Sequence, residues 1–230
     1  MAKSNETDRQ ELQNHLISSQ GVLLTVSGEL LANQVDDHAL QMIMLDANVN
    51  SMNRFLTDLG KAGVVSSEQP FPIVILITKF DKCYHRHHDE LIDDLKRMFN
   101  VLFTKNSGAG WLVAICPVTL GKDLANDLVT GIIDPRNVEL PMIFAVYAHY
   151  YVPYLKLRAQ EIALENRRAQ QAQKSILRRW WDDENLDQTI ADLSLTQEQR
   201  KDFETKVRLA ADKLRVVDLF FNGERREIDV

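Results

Sequence analysis

The stretch Phe71-Pro72-Ile73-Val74-Ile75-Leu76-Ile77-Thr78-Lys79-Phe80-Asp81 decides how this chain folds. Pro72 to Ile77 is a continuous apolar run rich in β-branched side chains. A run of this length and kind reads as a strand buried on both faces, the pattern of a parallel sheet. It ends abruptly at Thr78, Lys79, Phe80 and Asp81. In open α/β sheets, ligands bind just beyond the carboxyl ends of the strands, so these residues stand where a binding loop belongs.

Working outward, Gly21 to Val26 reads as a second short buried strand with Ser27 and Gly28 as its exit loop. Asp36 or Asp37 caps a long helix through about Leu59, with Leu40, Ile43, Met44, Ala47, Val49 and Phe55 at roughly helical spacing. A helix from about His88 to Phe103 carries Leu91, Ile92, Leu95, Met98 and Phe99. Trp111 to Cys116 is a third apolar strand, followed by Pro117, Val118, Thr119, Leu120 and Gly121. Strands alternating with helices imply parallel βαβ units joined by right-handed crossovers.

The remainder has a different character. Residues 1–20 form a polar lead-in with a helix expected from Thr7 to Ser19. Pro141 to Trp181 is helical in pattern and strongly charged after Lys156, and Thr196 starts a helix reaching about Leu214. Val216 to Phe221, Asn222-Gly223 and Glu224 to Val230 read as a β-hairpin, because both residues of a tight Asn-Gly turn take positive φ. The expected fold is α/β: a partial doubly wound parallel sheet with a C-terminal helical extension and a terminal β-hairpin. Its expected parts are an α/β half-domain over 1–155, the helical extension over 156–215 and the hairpin over 216–230.

Composition narrows the function classes. The 230 residues carry a net charge of −6, which argues against general nucleic-acid binding and its basic footprint. Two cysteines, Cys83 and Cys116, fit a reducing compartment better than a disulfide scaffold, and the polar opening residues are no secretory signal, so a cytoplasmic location is expected. The longest membrane candidate, Leu140 to Tyr151, is interrupted by Pro141 and His149 and falls short of the ~20 apolar residues of a span, so no membrane insertion is expected.

Thr78-Lys79-Phe80-Asp81 resembles the base-recognition motif of GTPases, Asn-Lys-x-Asp and its Thr-Lys-x-Asp variant. The resemblance implies that Asp81 accepts hydrogen bonds from guanine N1 and its exocyclic amine while the Lys79 stem covers the base. Val118-Thr119-Leu120 resembles the Ser-Ala segment whose backbone N–H contacts guanine O6, with Thr119 in the Ser position and Leu120, a departure that crowds the base, in the Ala position. The separation of the two motifs, about 40 residues, fits one βα unit. Gly21 to Ser27 is similar to the strand after switch II in GTPases of the translation-factor-related class. Within it, the chain most resembles the bacterial double-GTPase-like proteins, and more loosely the GTPase-like domain of type VI secretion membrane-core proteins. Asp134-Pro135-Arg136-Asn137-Val138-Glu139-Leu140-Pro141, leading into a long helix, belongs to the former likeness. The resemblance covers about residues 15–155. A complete domain of that family has about six strands, and the front three bring the phosphate loop and switches. This chain is expected to begin where that half ends.

A Gly-x-x-x-x-Gly-Lys-Ser/Thr phosphate loop occurs nowhere among the nine glycines. Such a loop aims backbone N–H groups and a Lys at the phosphates. The resemblance therefore implies a GTPase-derived, non-catalytic regulatory or assembly subunit. Its candidate ligand is GTP or GDP, held by Thr78, Lys79, Asp81, Thr119 and Leu120, with Mg²⁺ only if a partner supplies the phosphate site. The alternatives are a split GTPase half completed by a companion chain carrying the phosphate loop, and a pure interaction scaffold. A protein partner is expected on the face from Pro141 to Trp181.

Three other clusters compete for attention. Cys83, His85, His87 and His88 have zinc-ligand chemistry, but consecutive ligands on one short loop wrap an ion poorly, so a solvated loop is the plainer reading. Cys116 ends an apolar strand and reads as a buried structural thiol rather than a nucleophile. Arg178, Arg179, Trp180 and Trp181 combine residue types enriched at binding hot spots, against the alternative that one Trp packs the helix onto the core.

Overall fold

In the computed structural model, the described residues are 15, 18–61, 65–67, 69–105, 110–121, 133–172 and 176–227. The chain forms β1 (Val22–Ser27), α1 (Asp37–Asp46), α2 (Val49–Lys61), β2 (Phe71–Thr78), α3 (His88–Met98), α4 (Asn100–Phe103) and β3 (Trp111–Pro117). Two long helices follow, α5 (Leu140–Ala172) and α6 (Ile176–Ala211), then β4 (Asp218–Phe221) and β5 (Glu224–Arg226). The result is a mixed α/β fold on a five-stranded sheet of order β1-β2-β3-β4-β5.

β1, β2 and β3 are parallel, with Leu24 opposite Ile75 and Ile75 opposite Ile115. The apolar run centred on Ile75 is thus the middle of the parallel ladder, as its two-sided hydrophobicity requires. Phe71, Ile73, Ile75 and Ile77 enter one core with Trp111, Val113 and Ile115, beneath α1, α2 and α3. Val74 faces the other way and joins Leu112, Ala114 and Cys116 beneath α5 and the end of α6. The apolar side chains of Phe71 to Ile77 and of β3 therefore serve two cores, one on each face of the central strands.

β4 runs antiparallel to β3, placing Leu219 opposite Ala114, and β5 runs antiparallel to β4. The turn between them uses Asn222 at φ 53° and Gly223 at φ 77°. Gly223 has a second constraint: a Cβ there would lie 2.3 Å from the Phe103 carbonyl oxygen.

Three element boundaries differ from the sequence expectation. The helix expected from Asp36 to Leu59 is two helices, because Asn48 takes a left-handed φ of 53° between them. Asp36 is its N-cap, accepting from the Ala39 amide at 2.7 Å. The helix from His88 breaks at Phe99 before the single turn of α4. The C-terminal helix begins at Ile176 rather than Thr196, and it pairs with α5 as a long helical hairpin. Arg200 on α6 holds Glu161 on α5 at 2.8 Å and Glu204 on its own helix at 2.7 Å. Helix α5 passes unbroken through Pro153 and across residue 155, so its first half packs on the sheet and its second half pairs with α6. No described helix is long and apolar enough to cross a membrane. The helix expected over Thr7 to Ser19 lies almost wholly outside the described residues.

Candidate functional site

Three loops meet at the carboxyl ends of the parallel strands. The first leaves β1 at Ser27-Gly28-Glu29, the second leaves β2 at Lys79-Phe80-Asp81, and the third leaves β3 at Val118-Thr119-Leu120. Backbone hydrogen bonds tie them into one surface. The Gly28 amide donates to the Thr78 carbonyl at 2.7 Å, the Val118 amide to the Ile77 carbonyl at 2.9 Å, and the Phe80 amide to the Val118 carbonyl at 3.0 Å. Gly28 is required here: a Cβ would meet the Lys79 carbonyl oxygen at 2.5 Å.

These loops bring the sequence-predicted residues together, each with its own partners. The Thr78 hydroxyl donates to the Val26 carbonyl at 3.3 Å, so Thr78 ties its loop to β1. Lys79 takes a left-handed conformation, φ 50° and ψ 43°. For a residue with a Cβ this costs about 1 kcal/mol or more, and such strain clusters at ligand sites. It opens the turn in which Phe80–Lys82 coil as one 3-10 turn and present Asp81. The Lys79 ammonium pairs with Glu29 at 2.8 Å, both side chains being more than half exposed. Lys79 holds the Glu29 carboxyl below the usual carboxylate range. An exposed pair of this kind contributes little stability, so a ligand can displace it cheaply.

The Thr119 hydroxyl donates to Asp81 Oδ1 at 2.8 Å and accepts from the Gly121 amide at 3.1 Å. This bond joins the two motifs across 38 positions of sequence. It orients the Asp81 carboxylate and leaves Oδ2 for another donor. The Thr119 amide donates to the Arg136 carbonyl at 3.3 Å, and the Arg136 amide returns a bond of 2.9 Å to the Thr119 carbonyl. With the Thr119 amide engaged, the Leu120 amide is the candidate backbone donor. The Leu120 side chain is 54% exposed at the mouth of the site. Asn137, at φ 61°, donates from Nδ2 to the Pro117 carbonyl at 3.0 Å and fixes the return of the chain into α5.

Three contributors escaped the sequence reading. Glu29 lies 50 positions from Lys79 in a loop with no motif of its own. Arg136 and Asn137 were visible only as part of the run before the long helix. Only Gly28, directly after a strand, carried a local signal of close backbone approach.

The other clusters resolve into separate partners. Cys83 is fully buried and its thiol contacts the Phe80 carbonyl at 3.6 Å. His85 Nε2 meets the Ala32 carbonyl at 3.0 Å, and His88 Nε2 meets Asp218 at 2.7 Å. Among the described residues, no group of three or more His, Cys, Asp or Glu side chains is arranged to hold a metal ion. Burial pushes the Cys83 thiol up to about 11 and the Cys116 thiol up to about 12, so both stay protonated and unreactive at neutral pH. The side chains of Arg178, Arg179, Trp180 and Trp181 lie outside the described residues.

Arg86 explains why the β1 exit loop holds its place. Its guanidinium, 6% exposed, donates to the Leu31 carbonyl at 3.1 Å and to the buried Asp94 at 2.8 Å. Arg97 adds a bond to the Val35 carbonyl at 2.9 Å, a 3.1 Å bond to Asp94 and a contact with Asp37. Residues 28–36 are thus clamped to α3, and Glu29 is presented to Lys79 from a fixed loop.

Comparison with protein-family models, with curated proteins and with solved structures finds no match to this chain.

Proposed function

We propose that Lys79, Asp81 and Leu120 form a recognition site for the base of a guanine nucleotide, GTP or GDP, in a GTPase-derived subunit with a regulatory or assembly role. One observation carries this reading: the Thr119 hydroxyl bound to Asp81, which brings two motifs distant in sequence onto one carboxylate at the carboxyl ends of adjacent parallel strands. Thr78 and Thr119 position the site. Asp81 Oδ2 accepts from the base, the Lys79 stem covers it, and the Leu120 amide donates to a ring carbonyl. On this reading the fold is a partial doubly wound sheet whose outer edge at β3 is covered by the terminal hairpin, β4 with β5. Hydrolysis needs phosphate cradling, Mg²⁺ and a positioned water, and no residue of this sequence is a candidate for those tasks. The subunit is therefore read as non-catalytic. Buried free thiols fit the reducing cytoplasm, where we place it.

Calorimetric titration of GDP, with ATP as control, against the chain and its Asp81→Ala variant tests the reading. Guanine-selective binding that disappears in the variant supports it; equal heats for GDP and ATP, or none for either, overturn it.

A second reading is a split GTPase, in which a companion chain carrying the phosphate loop adds strands beside β1. The observation favouring it is the outer edge of β1, which has no neighbouring strand among the described residues. Under either reading we take the Pro141 to Trp181 face as the protein contact, a reading that the exposure of Met142 and Val146 on α5 supports.

A further inference from the structure

A cavity of about 780 Å³ opens where the end of α6 meets the β4–β5 ribbon. The local sequence builds it. After Ala211 a single 3-10 turn, Asp212–Leu214, leads through Arg215, Val216 and Val217 into β4. Leu214 and Val217 are buried, and the Val217 amide donates to the Leu214 carbonyl at 2.8 Å. The turn is thereby pinned by its apolar residues, and Arg215 stays outside with its side chain 77% exposed. Asp218, the first residue of β4, stands opposite Ile115 near the carboxyl end of β3. It is only 6% exposed, and its carboxylate accepts from His88 Nε2 at 2.7 Å and from Arg225. A buried carboxylate bonded in this way fixes both donors in place at the cavity wall. Arg225 stands opposite Phe220, on the α3 side of the sheet, and Arg226 opposite Leu219, on the α6 side. Arg208, from the last turn of α6, faces the same space.

Four arginines line this cavity against the three carboxylates of Asp212, Asp218 and Glu227, before His88 is counted. The chain as a whole carries −6, so the cavity is locally positive on an acidic protein. We propose that it is a binding site for a small phosphorylated molecule, held through a phosphate or pyrophosphate dianion. The existing ion pairs say why phosphate rather than carboxylate. Arg215 is held by Asp212 at 2.7 Å and Arg226 by Glu224 at 3.4 Å, and each of these side chains is at least half exposed. Exposed pairs of this kind are weak and exchange readily. A ligand carboxylate would only replace one carboxylate by another. A phosphate dianion brings more charge and three acceptor oxygens, so two guanidinium forks grip it at once. Size is consistent, because small-molecule cavities run about 300–1,000 Å³. Val216, Val217 and Leu219 give the remainder of the ligand an apolar wall. The cavity shares no residue with Lys79, Asp81 and Leu120, so it stands or falls apart from the base site.

Calorimetric titration of inorganic pyrophosphate at fixed ionic strength tests the proposal. It compares the native chain with two double variants, and circular dichroism checks that each is folded. Arg215→Gln with Arg226→Gln removes two exposed cations from the cavity. Arg167→Gln with Arg168→Gln removes the same charge from an exposed stretch of α5. The native chain binds one pyrophosphate; the cavity variant loses at least about tenfold in affinity and the α5 variant less than about twofold, because only the first removes direct charge-assisted bonds. A native chain that gives no heat with pyrophosphate overturns the proposal, and so does an equal loss in both variants. A chain that ignores free pyrophosphate but floats with phosphatidic acid vesicles assigns the arginines to a lipid surface and overturns it as well.

Discussion

The Thr119 hydroxyl sits between two demands, donating to Asp81 and accepting from the Gly121 amide. Replacing it with Val keeps the volume and removes both bonds. A hydrogen bond to a charged group is worth about 1.5–3 kcal/mol, and Asp81 keeps solvent access, so Thr119→Val should weaken GDP binding by roughly tenfold with little change in folding. Calorimetry on the two proteins checks this, and unchanged affinity would remove Thr119 from the site. Arg86 offers the structural contrast. Arg86→Ala strands the buried Asp94 with Arg97 alone and frees the Leu31 carbonyl. Breaking a buried pair costs about 3–5 kcal/mol, which urea denaturation should register. The thiols make a pH prediction. Both are raised in the folded state from an ordinary 9.0, to about 11 for Cys83 and about 12 for Cys116. A raised acid contributes its stability in full below the unfolded value and loses it as pH climbs through the folded one. Stability should therefore fall between pH 9 and 12, less steeply in Cys116→Ala measured against its own neutral-pH baseline. A thiol reagent at pH 8 should label neither cysteine until the chain unfolds.

At the level of elements, the β4–β5 ribbon completes the sheet beyond β3. Its turn has a left-handed Gly223 pressed against the Phe103 carbonyl, so Gly223→Ala meets both a steric and a backbone penalty. A loss of about 1–3 kcal/mol in denaturant unfolding is expected, the scale of overpacking. A fully stable variant would mean that the turn relaxes without cost. Sequence legibility is uneven at this scale for physical reasons. The central strands β2 and β3 were readable because burial on both faces forces apolar residues, as in Ile73 to Ile77, whereas β1 is buried on one face only, with Leu23 50% exposed. The break at Asn48 was not, because apolar spacing continues through Ala47 and Val49 while the backbone turns left-handed. The early start of α6 was hidden too, because α6 forms a helical hairpin with α5 and such pairing leaves no local period to read.

In the whole molecule, two motifs on neighbouring strands of one parallel ladder meet at Asp81. The sequence carried Thr78, Lys79, Asp81, Thr119 and Leu120 as individual candidates. It could not say that Thr78 would turn to β1, that the Thr119 amide would be taken by Arg136, or that Glu29 would reach Lys79, since each depends on loops meeting only in the fold. In the proposed site, Asp81 reads the donor pair of a guanine. Guanine presents N1–H and a C2 amine, both donors, to a carboxylate; xanthine presents N1–H and a C2 carbonyl. An Asp81→Asn side chain offers one acceptor and one donor and so matches xanthine. The decisive measurement is a calorimetric comparison of GDP and xanthosine diphosphate on the native chain and on Asp81→Asn. A GDP preference in the native chain and its reversal in the variant are expected. A native chain that binds both equally or neither, or a variant that keeps its preference for GDP, would contradict this role of Asp81.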